Sequence, residues 1–145
     1  MSAISAGRFS RLYELAVKRQ LGDYMGLVFE QMCREYLFRY AENLPIMVSE
    51  VGQWWGTDPK AKNEVQVDIV GAPIEGKEYI IGSCKYKNEK IGVDELELLQ
   101  RYASVFGRGT KYHYYIFSKG GFTQGLKKLG EAGEVTLLTL EDIYK

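Results

Sequence analysis

The chain has no net charge to offer. Its 19 lysines and arginines cancel its 19 aspartates and glutamates, so the protein as a whole makes no electrostatic case for nucleic acid, and any such case must be local. Metal-binding side chains are equally scarce. There is one histidine, His113, with no second ligand near it in sequence, and it reads as structural. The two cysteines, Cys33 and Cys84, lack metal-ligand spacing and sit in apolar surroundings, the pattern of buried free thiols in a reducing compartment. No Gly-Lys-Ser or Gly-Lys-Thr occurs, which excludes nucleotide hydrolysis by a phosphate-binding loop. No apolar run approaches the roughly 20 residues of a membrane span, and no signal-peptide pattern opens the chain, so a cytoplasmic protein with no membrane contact is expected.

What is present suits one globular domain. The 145 residues, 46% hydrophobic and 26% charged, are enough to bury a core, and no repeat or internal linker divides them. The most informative stretch is Glu64 to Lys85. Val65, Val67 and Ile69 alternate with Glu64, Gln66 and Asp68, which is the period of a strand with one face on a core. A turn around Gly71 to Gly76 leads to a second strand with Ile81, Ser83 and Lys85 on one face and Ile80, Gly82 and Cys84 on the other. The hairpin so formed brings a carboxylate and an ammonium to one end, a compact charged site of the kind that holds a divalent metal beside a phosphate.

Around this hairpin the chain reads as alternating helices and strands. Residues 1–22 read as a connector with a short helix over Arg11 to Gln20, and residues 23–145 as the domain. A helix is predicted over Asp23 to Tyr40, capped by Asp23, because Met25, Phe29, Met32, Cys33, Tyr36, Leu37 and Tyr40 recur at helical spacing. Glu30 lies at the margin of that stripe, either facing a cleft or solvated beside Arg34. Ile46 to Trp55 predicts a strand in which one of Trp54 and Trp55 is core and the other rim, packed or free to stack on a base. Lys60 and Lys62 in the following loop, and Lys87 and Lys90 after the hairpin, are either solvated or phosphate contacts. Asp94 and Glu97 look like a capping box for a second helix, whose stripe of Val93, Leu96, Leu99, Ala103 and Phe106 runs to Gly107. Gln100 falls inside that stripe and would face the site or bond a neighbouring strand. Tyr112 to Phe117 predicts a buried strand, Gly120-Gly121 a strand-to-helix turn, Leu126 and Leu129 a short helix, Val135 to Leu140 a last strand, and Thr139 to Asp142 a terminal helix. The order implies an α/β fold, a mixed central sheet flanked by helices.

Glu30 on the first helix, Asp68 on the second strand and Ser83-Cys84-Lys85 on the third together resemble the PD-(D/E)xK, or restriction-endonuclease-like, nuclease superfamily, which implies an αβββαβαβ core. Gly26-Leu-Val-Phe-Glu30, Val51-Gly-Gln-Trp-Trp-Gly, Val67-Asp-Ile-Val and Ile116-Phe-Ser-Lys-Gly-Gly-Phe-Thr more narrowly resemble the C-terminal domain of unknown function of archaeal-type P-loop ATPases. The resemblance implies that Asp68, Glu30 and the Cys84 carbonyl hold Mg2+, with Mn2+ as a substitute, and that Lys85 is the catalytic lysine acting on DNA. It further implies ATPase and winged-helix domains in the same protein. Ser83 stands where the superfamily has a carboxylate, and a neutral hydroxyl is a poor ligand for a hard dication. Glu64, about 13 Å along the strand from Asp68, and Glu78, on the opposite face from Ser83, do not replace it. Three functions are therefore open: a magnesium-dependent DNA phosphodiesterase; a nuclease-like domain that binds DNA without cutting it, through Lys60, Lys62, Lys85, Lys87 and Lys90; and an assembly module of the ATPase, including a homo-oligomer.

Overall fold

Five strands make one sheet in the order β1-β2-β3-β4-β5, in a computed structural model that describes residues 24–39, 44–60 and 62–144. The connector, its short helix, the Asp23 cap and Tyr40 lie outside the described residues. A first helix, α1, spans 24–39. It is followed by β1 (Val48–Asp58), β2 (Asn63–Pro73), β3 (Glu78–Lys85), α2 (Val93–Phe106), β4 (Lys111–Ser118), α3 (Gln124–Glu131), β5 (Thr136–Thr139) and α4 (Leu140–Tyr144). Through β5 this is the expected αβββαβαβ order. The first three strands pair antiparallel as a meander, and β4 and β5 join parallel through the α2 and α3 crossovers.

The sheet is buried on both faces, and its strands accordingly carry two apolar sets. Leu96, Leu99, Ala103 and Phe106 of α2 and Leu126 of α3 pack with Val65, Val67, Ile81 and Ile116 on one face. Phe29, Cys33 and Leu37 of α1 and Ile143 of α4 pack with Ile69, Ile80, Cys84, Tyr115 and Phe117 on the other. The alternation predicted for β3 holds across these faces. That for β2 does not, because Val65 and Val67 belong to the α2 face while Ile69 belongs to the α1 face. The cause lies in the pairing of β1 with β2. Gly52 stands opposite Val70 and Trp54 opposite Val67, so the single residue Gln53 faces the two residues Asp68 and Ile69. An extra residue on one strand is a β-bulge, which bends the strand and re-aims its side chains. Asp68 sits in it.

Smaller corrections have equally local causes. β2 runs on through Gly71 to Pro73, so the reversal is confined to 74–77, with Gly76 at φ 85°. The N-cap of α2 is Gly92, with no side-chain capping bond, in place of the Asp94 and Glu97 box. Its C-terminal stop is as predicted, since Gly107 takes φ 61° and donates its N–H to the Ala103 carbonyl. Gln100 is exposed, a further step of about 100° round the helix from buried Leu99, so it is not the buried glutamine that would need a partner. The tryptophans divide as expected: Trp54 packs edge-on to Phe106 at 5.2 Å, while Trp55 is 62% exposed. Gly56 is required beside them, because a Cβ there would collide with the Trp54 ring. Thr139 and Asp142 cap α4 reciprocally, each backbone N–H donating to the other's side chain.

Candidate active site

The pairing of β2 with β3 runs from Gly71–Ile80 to Ile69–Gly82. Just beyond it, the Cys84 N–H donates to Asp68 Oδ2 at 3.0 Å. The carboxylate, aimed by the bulge, takes a backbone donor of β3 and is thereby fixed in place. Arg34 of α1 reaches the Asp68 carbonyl at 3.4 Å, so this arginine serves the bulge backbone.

On the α2 face, Ser83 and Lys85 point toward the first turn of α2. There Glu95 accepts a 2.7 Å hydrogen bond from the buried Ser83 hydroxyl and lies 3.5 Å from Lys85 Nζ on the same oxygen. On the α1 face, Glu30 accepts a bond from Gln53 Nε2 at 3.3 Å, and Gln53 is the residue opposite the bulge. Two clefts meet at the centre. The one on the α2 side, about 350 Å3, is lined by Asp68, Ser83, Lys85 and Glu95. The one on the α1 side contains Glu30, Asp68, Lys85 and Lys87. Asp68 and Lys85 belong to both.

The electrostatics follow from three carboxylates around one lysine. Burial pushes the Asp68 carboxyl above its ordinary range, against the pull of the Cys84 N–H and of Lys85, and the Glu95 charge adds to the rise. Glu30 is raised first by burial and then by the Asp68 charge, with Arg34 and Lys85 opposing. Burial raises the Cys84 thiol well above its usual value, the adjacent Cys33 thiol adding to the effect. Both thiols are buried and free, as the sequence implied.

The structure therefore brings together Asp68, Lys85 and Glu30, and places Cys84 against Asp68 through its N–H. Lys87 lines the α1-side cleft, Lys60 and Lys62 are exposed at the β1–β2 turn, and Lys90 is exposed in the loop before α2. His113 lies 3.1 Å from Glu78. The residue that sequence reasoning missed is Glu95. Its signal was an acid in the first turn of the helix that follows the lysine-bearing strand, since a parallel crossover starts its helix at the end where that strand stops.

The donor set is hard oxygen. Among the described residues no three His, Cys, Asp or Glu side chains are clustered closely enough to hold a metal ion by themselves. Mg2+ does not ask for that: it is usually bound through one or two carboxylates, with waters and substrate phosphate completing its shell. Asp68 and Glu95, which share Lys85 between them, fit that requirement, and the partly buried excess of negative charge is what a dication would neutralise.

Fold and site thus define a mixed α/β domain built around a strand aspartate, a neighbouring strand's lysine and a helix carboxylate. The chain belongs to the family of archaeal and bacterial proteins of unknown function called DUF234, whose model matches residues 1–97. No curated protein matches it. Among solved structures, the chain is similar to MspJI restriction endonuclease in complex with a 27-mer oligonucleotide, at 12% identity and a TM-score of 0.42. That match covers 95% of this chain and 30% of that one. Among the described residues no helix is long and apolar enough to cross a membrane.

Proposed function

We propose that this domain is a magnesium-dependent phosphodiesterase acting on DNA, with Glu95 supplying the carboxylate that Ser83 lacks. The observation that carries this reading is the contact of Glu95 with both Ser83 and Lys85, at 2.7 and 3.5 Å. It would supply an acid beside the lysine, in the cleft that Asp68 also lines, from a different element of the chain. Asp68 and Glu95 would hold Mg2+, with Mn2+ as a substitute, and Glu30 and the Cys84 carbonyl would support them. A bound dication would neutralise charge on the phosphate and make a bound water more acidic.

The protein's own groups have separable tasks. Lys85, paired with Glu95, would orient the attacking water and set positive charge beside the phosphate, while the water's proton leaves to solvent. Ser83 donates its hydroxyl to Glu95 and so fixes the carboxylate's direction, the role outer hydrogen bonds play at metal sites. Gln53 does the same for Glu30. Lys87 in the cleft, with Lys60, Lys62 and Lys90 at its approaches, would contact the DNA backbone. In the larger protein implied by the resemblance, the ATPase and winged-helix domains would deliver DNA to this cleft. The test is cleavage of a supercoiled plasmid and of a single-stranded DNA with Mg2+ or Mn2+, expected to fall sharply in Lys85→Ala and Asp68→Ala. Absence of metal-dependent cleavage by the wild-type chain and by the full-length protein would overturn the reading.

A further inference from the structure

The α2-side cleft has an aromatic wall that hydrolysis alone does not require. Trp55 stands on one flank and Tyr102 of α2 is also on the lining, above the floor of Asp68, Ser83, Lys85 and Glu95. Trp55 is 62% exposed although its neighbour Trp54 is packed on Phe106. Unlike exposed Met47 and Ile74, Trp55 lines the cleft that holds Lys85 and Glu95, where the face of its ring can meet a planar partner. The strand that bears it is held in place. Buried Asp58, at the end of β1, accepts from Arg101 of α2 at 3.0 and 3.3 Å and from the Lys60 N–H at 2.9 Å. Trp55 itself lies opposite Gln66 in the ladder, two residues before Asp68. The strand segment that carries the ring is therefore held relative to Asp68, with Lys60 and Lys62 just beyond it at the turn.

We infer that Trp55 is a stacking platform for an unpaired nucleobase, and that the substrate is DNA presented as a single strand, gap or frayed end rather than as closed duplex. This rests on the nucleic-acid reading above and narrows it. Within a duplex each base already stacks on both faces, so a protein ring gains a partner only where a base has left the stack or lost a neighbour. The site beside it needs a phosphodiester, and a single strand supplies base and backbone together.

The experiment measures binding apart from cleavage, in metal-free buffer, using the full chain. The probes are a short oligothymidylate, the same strand with an abasic position, and a blunt duplex. Wild type is expected to bind the single strand more tightly than the duplex. Trp55→Ala is expected to weaken single-strand binding by about 5- to 150-fold while leaving duplex binding unchanged. Trp55→Phe should retain most of the affinity, and the abasic strand should lose part of its sensitivity to Trp55→Ala. Equal losses on single strand and duplex, or no loss at all, overturn the inference, as does a wild type that prefers duplex. Metal-dependent nicking of closed plasmid that is indifferent to Trp55→Ala would remove the platform and leave the phosphodiesterase reading intact. Trp55-dependent single-strand binding without any cleavage would do the reverse.

Discussion

Glu30 and Glu95 approach the same aspartate from opposite faces of the sheet, and they are not equivalent. Glu95 touches the lysine and is held by a buried hydroxyl. Glu30 is held by Gln53, and its carboxyl is raised by burial and by Asp68. A carboxylate already paired and pinned by a donor is held in one direction. One whose charge is disfavoured gains most from a dication arriving beside it. The first-helix acid was the one visible in the sequence, yet the second-helix acid is the one in contact with Ser83 and Lys85. On the proposed phosphodiesterase reading, the comparison teaches that the adjoining helix supplies the carboxylate that β3 lacks, from a different place in the chain.

The largest effect should come from the shared centre. Lys85→Ala, which leaves both flanking carboxylates in place, is expected to lower the cleavage rate by about 10²- to 10³-fold, read from cleavage of plasmid and of single-stranded DNA at saturating Mg2+. Next comes the comparison itself. Glu95→Gln should cost about 100-fold, with weakened metal affinity, and Glu30→Gln nearer 10-fold, the range seen when ligands and their supports are removed. Titration of activity against Mg2+ separates the two, and an equal loss from both would dissolve the asymmetry. A relocation sharpens it further: Ser83→Glu combined with Glu95→Gln returns the acid to the strand and should recover activity lost in Glu95→Gln alone. Failure of recovery in a folded double variant would mean that Glu95 acts from α2 in some way other than as the displaced ligand. Ser83→Ala should cost less than Glu95→Gln, about 10-fold, because it removes the hydrogen bond that directs Glu95 and leaves that carboxylate still beside Lys85.

Periodicity exposed most of the fold and half of the site. The α2 stripe, its stop at Gly107, the division of Trp54 from Trp55 and the hairpin carrying Asp68 and Lys85 were all legible, because each depends on spacing within one element. The bulge at Asp68 was not. It exists only in relation to β1, where one residue faces two, and no pattern inside β2 announces it. Ile69 was therefore assigned the wrong face even though its burial was correctly read. The same limit hid Glu95. Glu64 and Glu78 on the strands do not replace the missing acid, whereas the acid in contact with Ser83 and Lys85 lies on a helix docked across β3, a tertiary relation. The capping-box reading also drew attention to Asp94 and Glu97, while the chain in fact begins α2 at Gly92.

The smallest expected effect concerns stability, and it tests the charge imbalance directly. Asp68 and Glu30 both have folded-state pKa values raised chiefly by burial. A group raised in this way binds its proton more tightly in the folded chain than in the unfolded one. The stability it contributes is present below the ordinary carboxylate value, 3.8 for Asp68, and is lost as pH rises through the raised value. Asp68→Asn removes the charge and keeps an oxygen for the Cys84 N–H to bond. It should therefore melt above wild type at neutral pH, by about 2–4 °C for each kcal/mol relieved, and the gap should close as pH falls below the ordinary value. Mg2+ should close the same gap from the other side, raising the wild-type melting temperature and leaving Asp68→Asn nearly unmoved. A variant that melts lower than wild type at neutral pH, in metal-free buffer, would show that the Asp68 charge is already compensated by Lys85 and Arg34. The asymmetry between the two glutamates would then need another origin than an excess of buried negative charge.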